Sequence, residues 1–230
     1  MKNTKSVVLF SGGLDSTILL HKVHKEFQEE ATALLFNYNQ RHSRELDVAL
    51  STVHKLSLNY FNLDMSFLKT IASSKCALLN ENINVPHIKD VVGDPQPPTY
   101  VPNRNMMFLS IAAAVAESID ATNIYYGAAE VDTHSGHWDC TVEFLDFINK
   151  TLNLNRRTKI TIKAPFINLS KEQIIQQGQQ LGVDFKNTHT CYNGEEIACG
   201  TCSSCSSRIQ GFLAAGIKDT LNYKINIPWP

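Results

Sequence analysis

Residues 6–27 read SVVLFSGGLDSTILLHKVHKEF. Four of the first five are apolar, a strand signature, and Leu14 to Phe27 read as a helix. Between them stands Ser11-Gly12-Gly13. A strand that ends in a Gly-Gly turn and opens into a helix makes an anion site. The unpaired amides of the first turn point out of the helix end, the helix dipole adds to them, and Gly12 and Gly13 allow a close backbone approach. Ser11, Ser16 and Thr17 add hydroxyl donors. The loop has no lysine and is not the Walker pattern GxxxxGK[ST]. Asp15 places a carboxylate beside the expected phosphates, where it suits a Mg²⁺ ion or the orienting of loop amides. The alternative is a plain strand-to-helix turn capped by a polar residue.

Working outward, strand-like and helix-like segments alternate. Residues 31–38 and 60–65 read as strands, and 43–58 as a helix with Ser43 at its N-cap. Residues 106–119 read as a helix, 123–127 as a strand, 142–154 as a helix and 159–166 as a strand. Residues 170–182 form a helix opened by Ser170 and closed by Gly182. Such alternation implies an α/β fold, a parallel sheet with helices on both faces. Ligands bind such sheets at the carboxyl ends of the strands. SGGLDST (11–17), NYNQRHS (37–43) and GAAEVDTHSG (127–136) each follow an expected strand, so they should converge on one mouth. Residues 73–104, with five prolines and Gly93, read as a long loop.

The chain has 230 residues, 43% hydrophobic and 19% charged, which suits a soluble α/β domain with a real core. The net charge of -1 provides no global basic field for nucleic acid. No apolar run approaches the ~20 residues of a membrane span. The apolar stretch near the N-terminus is too short for a signal segment. A cytoplasmic setting is expected.

Four of six cysteines crowd into CYNGEEIACGTCSSC, with spacing C-x7-C-x2-C-x2-C. In a cytosolic chain this clustering points to metal rather than disulfides. Four thiolates, Cys191, Cys199, Cys202 and Cys205, suit tetrahedral Zn²⁺, with Gly200 permitting the tight turn. The C-x2-C-x2-C start also opens the ferredoxin-type run. That run continues x3-C-P, whereas Ser206-Ser207-Arg208 follows here, so structural zinc is the favoured reading. Cys76 and Cys140 default to buried small hydrophobes.

SGGLDST resembles the PP-loop of the ATP pyrophosphatase superfamily. The loop and the four cysteines together resemble the 7-cyano-7-deazaguanine synthase family of the queuosine precursor pathway. NYNQRHSREL (37–46), TYVPNRN (99–105), GAAEVDTHSGHWDC (127–140), and CGTCSSCSSR (199–208) with Gly211-Phe212 and a late Asp219 match in order, covering nearly the whole chain. The chain departs from the family's usual pattern at Asn39 (usually glycine), at Asn103 (PNRN for PGRN) and in SGHWDCT (135–141) for SGYPDCR.

The resemblance implies an adenine nucleotide alpha-hydrolase-like ATP-binding domain over 1–185, with a four-cysteine zinc-binding segment over 186–230 packed on it. It implies ATP, Mg²⁺ and Zn²⁺, with 7-carboxy-7-deazaguanine and ammonia as substrates, and a homodimer. Phe10, Ser11, Gly12, Gly13, Leu14, Asp15, Ser16, Thr17 and Arg41 would hold ATP. Ser11, Asp15, Ser16 and Arg104 would serve catalysis. Arg104, Asn105, Asp132, Ser135, Gly136 and Asp139 would meet the deazapurine. His42, His134 and His137 are weighed as general bases against plain polar surface. The rivals are a diverged relative that passes the same activated acid to another amine, another PP-loop enzyme acting on tRNA, and a nucleotide-binding module without catalysis.

Overall fold

The computed structural model describes residues 4–38, 43–72, 74–94, 96–129, 137–155 and 157–230. Strand β1 (Lys5–Leu9) runs into the glycine loop and helix α1 (Leu14–His21), which continues through a π-helical turn at Lys22–Glu26. Strand β2 (Glu30–Asn37), helix α2 (Ser43–Lys55) and strand β3 (Asn59–Asp64) follow. A short helix α3 (Leu68–Ala72) precedes the irregular stretch that ends at helix α4 (Arg104–Ser118). Then come β4 (Asn123–Tyr125), α5 (Val142–Leu152), β5 (Thr161–Lys163), α6 (Lys171–Gln180) and α7 (Ser203–Ala214).

The five strands lie in the order β3-β2-β1-β4-β5, and every pair is parallel. The chain winds outward from β1 on one side and then returns to β4 on the other. The strand order therefore reverses beside the glycine loop, where open parallel sheets bind ligands.

Side chains alternate across the sheet with a period of two. Val7, Leu34, Ile124 and Ile162 enter one core with Leu109 of α4 and Phe144 of α5. Val8, Leu35 and Tyr125 enter the other with Ile18 of α1, Val53 of α2, Ile174 of α6 and Phe212 of α7. Both faces are covered, which explains why the central strands are apolar without polar alternation. Helix α6 opens with a full capping box, in which the Gln173 amide donates to Ser170 Oγ and the Ser170 amide donates to Gln173 Oε1. It closes at Gly182 in the left-handed region (φ 68°).

Two expected strands prove shorter. β5 stops at Lys163 because Pro165 follows and has no N–H for a ladder. β4 stops at Tyr125, where the chain leaves the sheet toward the mouth.

Candidate active site

Gly12 holds φ 82°, and a Cβ there would sit 2.5 Å from the Glu45 carbonyl oxygen of α2. Only glycine serves both needs. Gly13 is different. It is extended (φ -71°, ψ 167°), a conformation open to any residue, so the conformational freedom expected of both glycines is used at Gly12 alone. As the N-cap of α1, Gly13 offers no side-chain cap. The first intrahelical bond runs from the Thr17 amide to the Gly13 carbonyl. The amides of Leu14, Asp15 and Ser16 therefore remain for a ligand. The Ser11 and Ser16 hydroxyls lie 3.1 Å apart and the Gly13 amide donates to Ser11 Oγ, so the loop is organised before anything binds. Thr17 turns inward, buried, with its hydroxyl donating to the Gly13 carbonyl at 2.8 Å.

A cavity of about 500 Å³ opens at this end of the sheet. Phe10, Ser11, Gly13, Leu14, Asp15 and Ser16 line one side of it. Arg104, Asn105 and Asp139 also line it, sharing one space with those loop residues, whereas Gly12 and Thr17 do not line it. Arg41, His42, Asp132, His134, Ser135 and Gly136 lie outside the described residues.

The lysine missing from the loop arrives from far along the chain. Lys171, the first residue of α6, puts its Nζ 2.5 Å from Asp15 Oδ2, and both groups line the cavity. The other oxygen, Asp15 Oδ1, is buried with no hydrogen-bond partner among the described residues. A buried, unshared carboxylate oxygen next to an anion site fits a divalent cation. Sequence reading missed Lys171, although a signal was present. A cation in the first turn of a helix opposes the helix dipole, so a lysine directly after Ser170 asks for a partner elsewhere.

Arg104 Nη1 donates to Tyr38 OH at 3.4 Å. Burial pushes the Tyr38 hydroxyl up, with Arg104 pulling the other way, so Tyr38 stays neutral near pH 7. Asn105 Nδ2 donates to Cys140 Sγ at 3.6 Å, and Cys140 lies beside Asp139. Cys76 is buried, and that burial pushes its thiol up, so it behaves as a small hydrophobe. His137 lines the cavity.

The sulfurs of Cys191, Cys199, Cys202 and Cys205 are buried and all lie within 4.8 Å of one another. Thiolates about 2.3 Å from one ion stand about 3.8 Å apart, so this cage fits a tetrahedral metal. Backbone amides already aim at the sulfurs: Cys199 N–H donates to Cys191 Sγ, those of Thr201 and Cys202 to Cys199 Sγ, and that of Cys205 to Cys202 Sγ. Such donors stabilise thiolate charge. Gly200, at φ 78°, makes the turn between ligands.

A family model described as "Queuosine biosynthesis protein QueC" matches residues 5–216. The chain belongs to this family. A 7-cyano-7-deazaguanine synthase of Clostridium kluyveri is 42% identical over 226 residues, covering 96% of this chain and 98% of the relative. The protein of the same name in Oceanobacillus iheyensis is 42% identical over 231 residues, covering 97% and 100%. Two solved structures share the fold at 14% identity. The U34-tRNA thiolase NcsA from Methanococcus maripaludis, with its [4Fe-4S] cluster, has a TM-score of 0.51 over 81% of this chain. This chain spans 58% of the thiolase's length. NMN synthetase from Francisella tularensis has a TM-score of 0.50 over 95% of this chain and 80% of its own.

Against the usual pattern of the QueC family, two departures acquire physical reasons. Asn103 stands where glycine is usual, and its backbone is left-handed (φ 53°, ψ 24°) at the N-cap of α4, just before Arg104. Asparagine tolerates that region best among non-glycine residues. Asn103→Gly is expected to leave stability unchanged or raise it by up to about 1 kcal/mol, and Asn103→Val to lower it by about 1–2 kcal/mol. Urea melts of the two variants check the sign. Thr141 stands where arginine is usual and caps α5, its Oγ1 accepting from the Phe144 amide at 3.1 Å. Trp138 packs edge-on against Phe144 and donates from Nε1 to Tyr100 OH at 3.4 Å, tying this turn to the segment ahead of α4.

Arg208 and Asp219 form a buried fork. Nε donates to Oδ2 at 2.6 Å and Nη2 to Oδ1 at 2.9 Å. The three remaining N–H groups go to Thr188 Oγ1, Thr190 Oγ1 and the Phe185 carbonyl. All five guanidinium donors are satisfied. The sequence showed both residues without showing that they meet.

Proposed function

We propose that the chain is an ATP-dependent carbon–nitrogen ligase that converts 7-carboxy-7-deazaguanine and ammonia to 7-cyano-7-deazaguanine. The observation that carries this reading is the Asp15–Lys171 pair at an uncapped glycine loop, sharing one cavity with Arg104 and Asp139. The names of the near-full-length relatives support it.

A carboxylate cannot expel oxide, nor its acid form hydroxide, at neutral pH, so its carbon needs a better leaving group. The substrate carboxylate attacks the α-phosphorus of ATP, and pyrophosphate departs to leave an acyl-adenylate. Ammonia adds at the carbonyl carbon, its nitrogen gives up a proton, AMP leaves, and the amide forms. The amide oxygen then attacks a second ATP, again expelling pyrophosphate. Loss of AMP and of both N–H protons yields the nitrile.

Negative charge builds on the departing pyrophosphate, and fixed donors stabilise it. The Leu14, Asp15 and Ser16 amides, the Ser11 and Ser16 hydroxyls and the Lys171 ammonium, which border the cavity, would serve that task. Asp15 Oδ1 would hold Mg²⁺, which would neutralise phosphate charge. Arg104 and Asn105 would steady the carboxylate, and Asp139 would accept from the ring N–H groups. Arg41, Asp132, Ser135 and Gly136 enter this proposal by resemblance alone. The four cysteines would hold a structural zinc that folds the 186–230 segment onto the 1–185 domain. A cytoplasmic homodimer completes the reading.

The test is a mass-spectrometric assay with 7-carboxy-7-deazaguanine, Mg-ATP and ammonium. AMP with nitrile is the expected result. AMP without amide or nitrile would replace ammonia by another amine, and no AMP at all would overturn the ligase reading. Elemental analysis is expected to find about one zinc per chain. Iron with labile sulfide would overturn the zinc assignment.

A further inference from the structure

The cysteine cage and the glycine loop are joined by a short rigid path. Thr188, His189 and Thr190 run directly into Cys191, the first cage residue. The His189 amide donates to the Gly12 carbonyl at 3.0 Å, so this segment is the support on which the loop rests. The His189 carbonyl oxygen lies 3.6 Å from where a Cβ of Gly13 would stand. The hydroxyls on both sides of His189 are held by the same nitrogen: Arg208 Nη1 donates to Thr188 at 2.7 Å and to Thr190 at 2.9 Å. Arg208 sits on α7, whose first turn carries Cys205 and whose N-cap is Cys202. The guanidinium cannot shift freely, because Asp219 grips it through two oxygens. Thr188 is buried, does not line the cavity, and donates its own O–H to the Phe185 carbonyl at 2.7 Å.

We propose that Arg208 is a positioning residue for the glycine loop: it fixes Thr188 and Thr190 so that His189 keeps its bond to Gly12, and it thereby couples nucleotide binding to metal retention in the cysteine cage. The inference rests on the ATP reading of the loop. A rigid path shared by two sites carries coupling in both directions, because binding free energies are reciprocal. A nucleotide that orders the loop also orders His189, Cys191 and α7.

The test uses the zinc-loaded protein and two substitutions at Thr188. Thr188→Val keeps the shape and removes the hydroxyl, and Thr188→Ser restores it. Mg-ATP affinity is measured by calorimetry. Zinc affinity is measured by equilibrium competition with a chromogenic chelator, with and without saturating Mg-ATP. In the wild type, Mg-ATP is expected to tighten zinc binding by roughly fivefold or more, the lower range of measured couplings. Thr188→Val is expected to weaken Mg-ATP binding by a similar factor and to lose the protection, while circular dichroism shows a folded chain. Thr188→Ser is expected to regain both. Arg208→Lys, which keeps the charge but not the fork, should behave as Thr188→Val; if it does not fold, the Thr188 pair decides. A folded Thr188→Val with wild-type Mg-ATP affinity and wild-type protection of the zinc overturns the inference, as does a wild-type zinc affinity indifferent to Mg-ATP. A wild type that binds no Mg-ATP would overturn the proposed function first, and this coupling with it.

Discussion

Lys171→Met should lower kcat/KM for AMP formation by roughly 10²–10³-fold, the scale measured when one fixed donor to a developing oxyanion is removed. Methionine nearly matches the aliphatic stem of lysine, so the packing of α6 survives. What goes is a positive charge 2.5 Å from Asp15. In the apo chain that charge balances the carboxylate. On the proposed reading, it faces pyrophosphate oxygens as their charge grows, so the loss should fall mainly on kcat. The Lys171 and Asp15 side chains are 12% and 23% exposed, sheltered enough for the pair to matter and open enough that its loss leaves the fold intact. Asp15→Asn should abolish most of the same activity. The double variant should be little worse than the poorer single one, since groups that act as a unit are not additive. A Lys171→Met protein within threefold of wild-type kcat/KM would remove the lysine from the mechanism.

The β1–loop–α1 unit was legible because its signals are local: an apolar run, two glycines and a helix within 22 residues. The cysteine cage was legible for the same reason, since its spacing is local. The capping box of α6 was likewise written in four consecutive residues. Lys171 was not legible as a partner for Asp15, because 156 residues separate them and only the closure of the sheet brings α6 to α1. The Arg208 fork required knowing where the 185–190 segment passes, and no periodicity reports that. Helix α3 was missed because its five residues are too few for a period to show. Gly13 shows the opposite error. Its type suggested conformational need, while its value lies in bearing no side chain, which leaves the helix end open.

Arg208→Met should be the most destabilising single change among the described residues outside the apolar cores, by about 3–5 kcal/mol. The reason is what it leaves behind. Asp219 is essentially unexposed and, among the described residues, would be left with the Tyr223 hydroxyl and the Leu221 amide as its donors. Thr188, Thr190 and the Phe185 carbonyl would each also lose a donor. For a chain of this size, each kcal/mol moves the melting temperature by about 2–4 °C, so a fall of about 6–20 °C is expected by calorimetry. Metal content must be held equal across samples, because a bound ion adds its own stabilisation. The double change Arg208→Met with Asp219→Leu separates the pair from its consequences. It removes the stranded charge and should recover a good part of the loss, though not all, because Tyr223 OH would then lack its acceptor. If Arg208→Met melts within 2 °C of wild type, water reaches Asp219 and the fork is not the sealed strut that its geometry describes. If the double variant is as stable as wild type yet binds Mg-ATP weakly, the fork is kept for the loop it positions rather than for the stability of the fold.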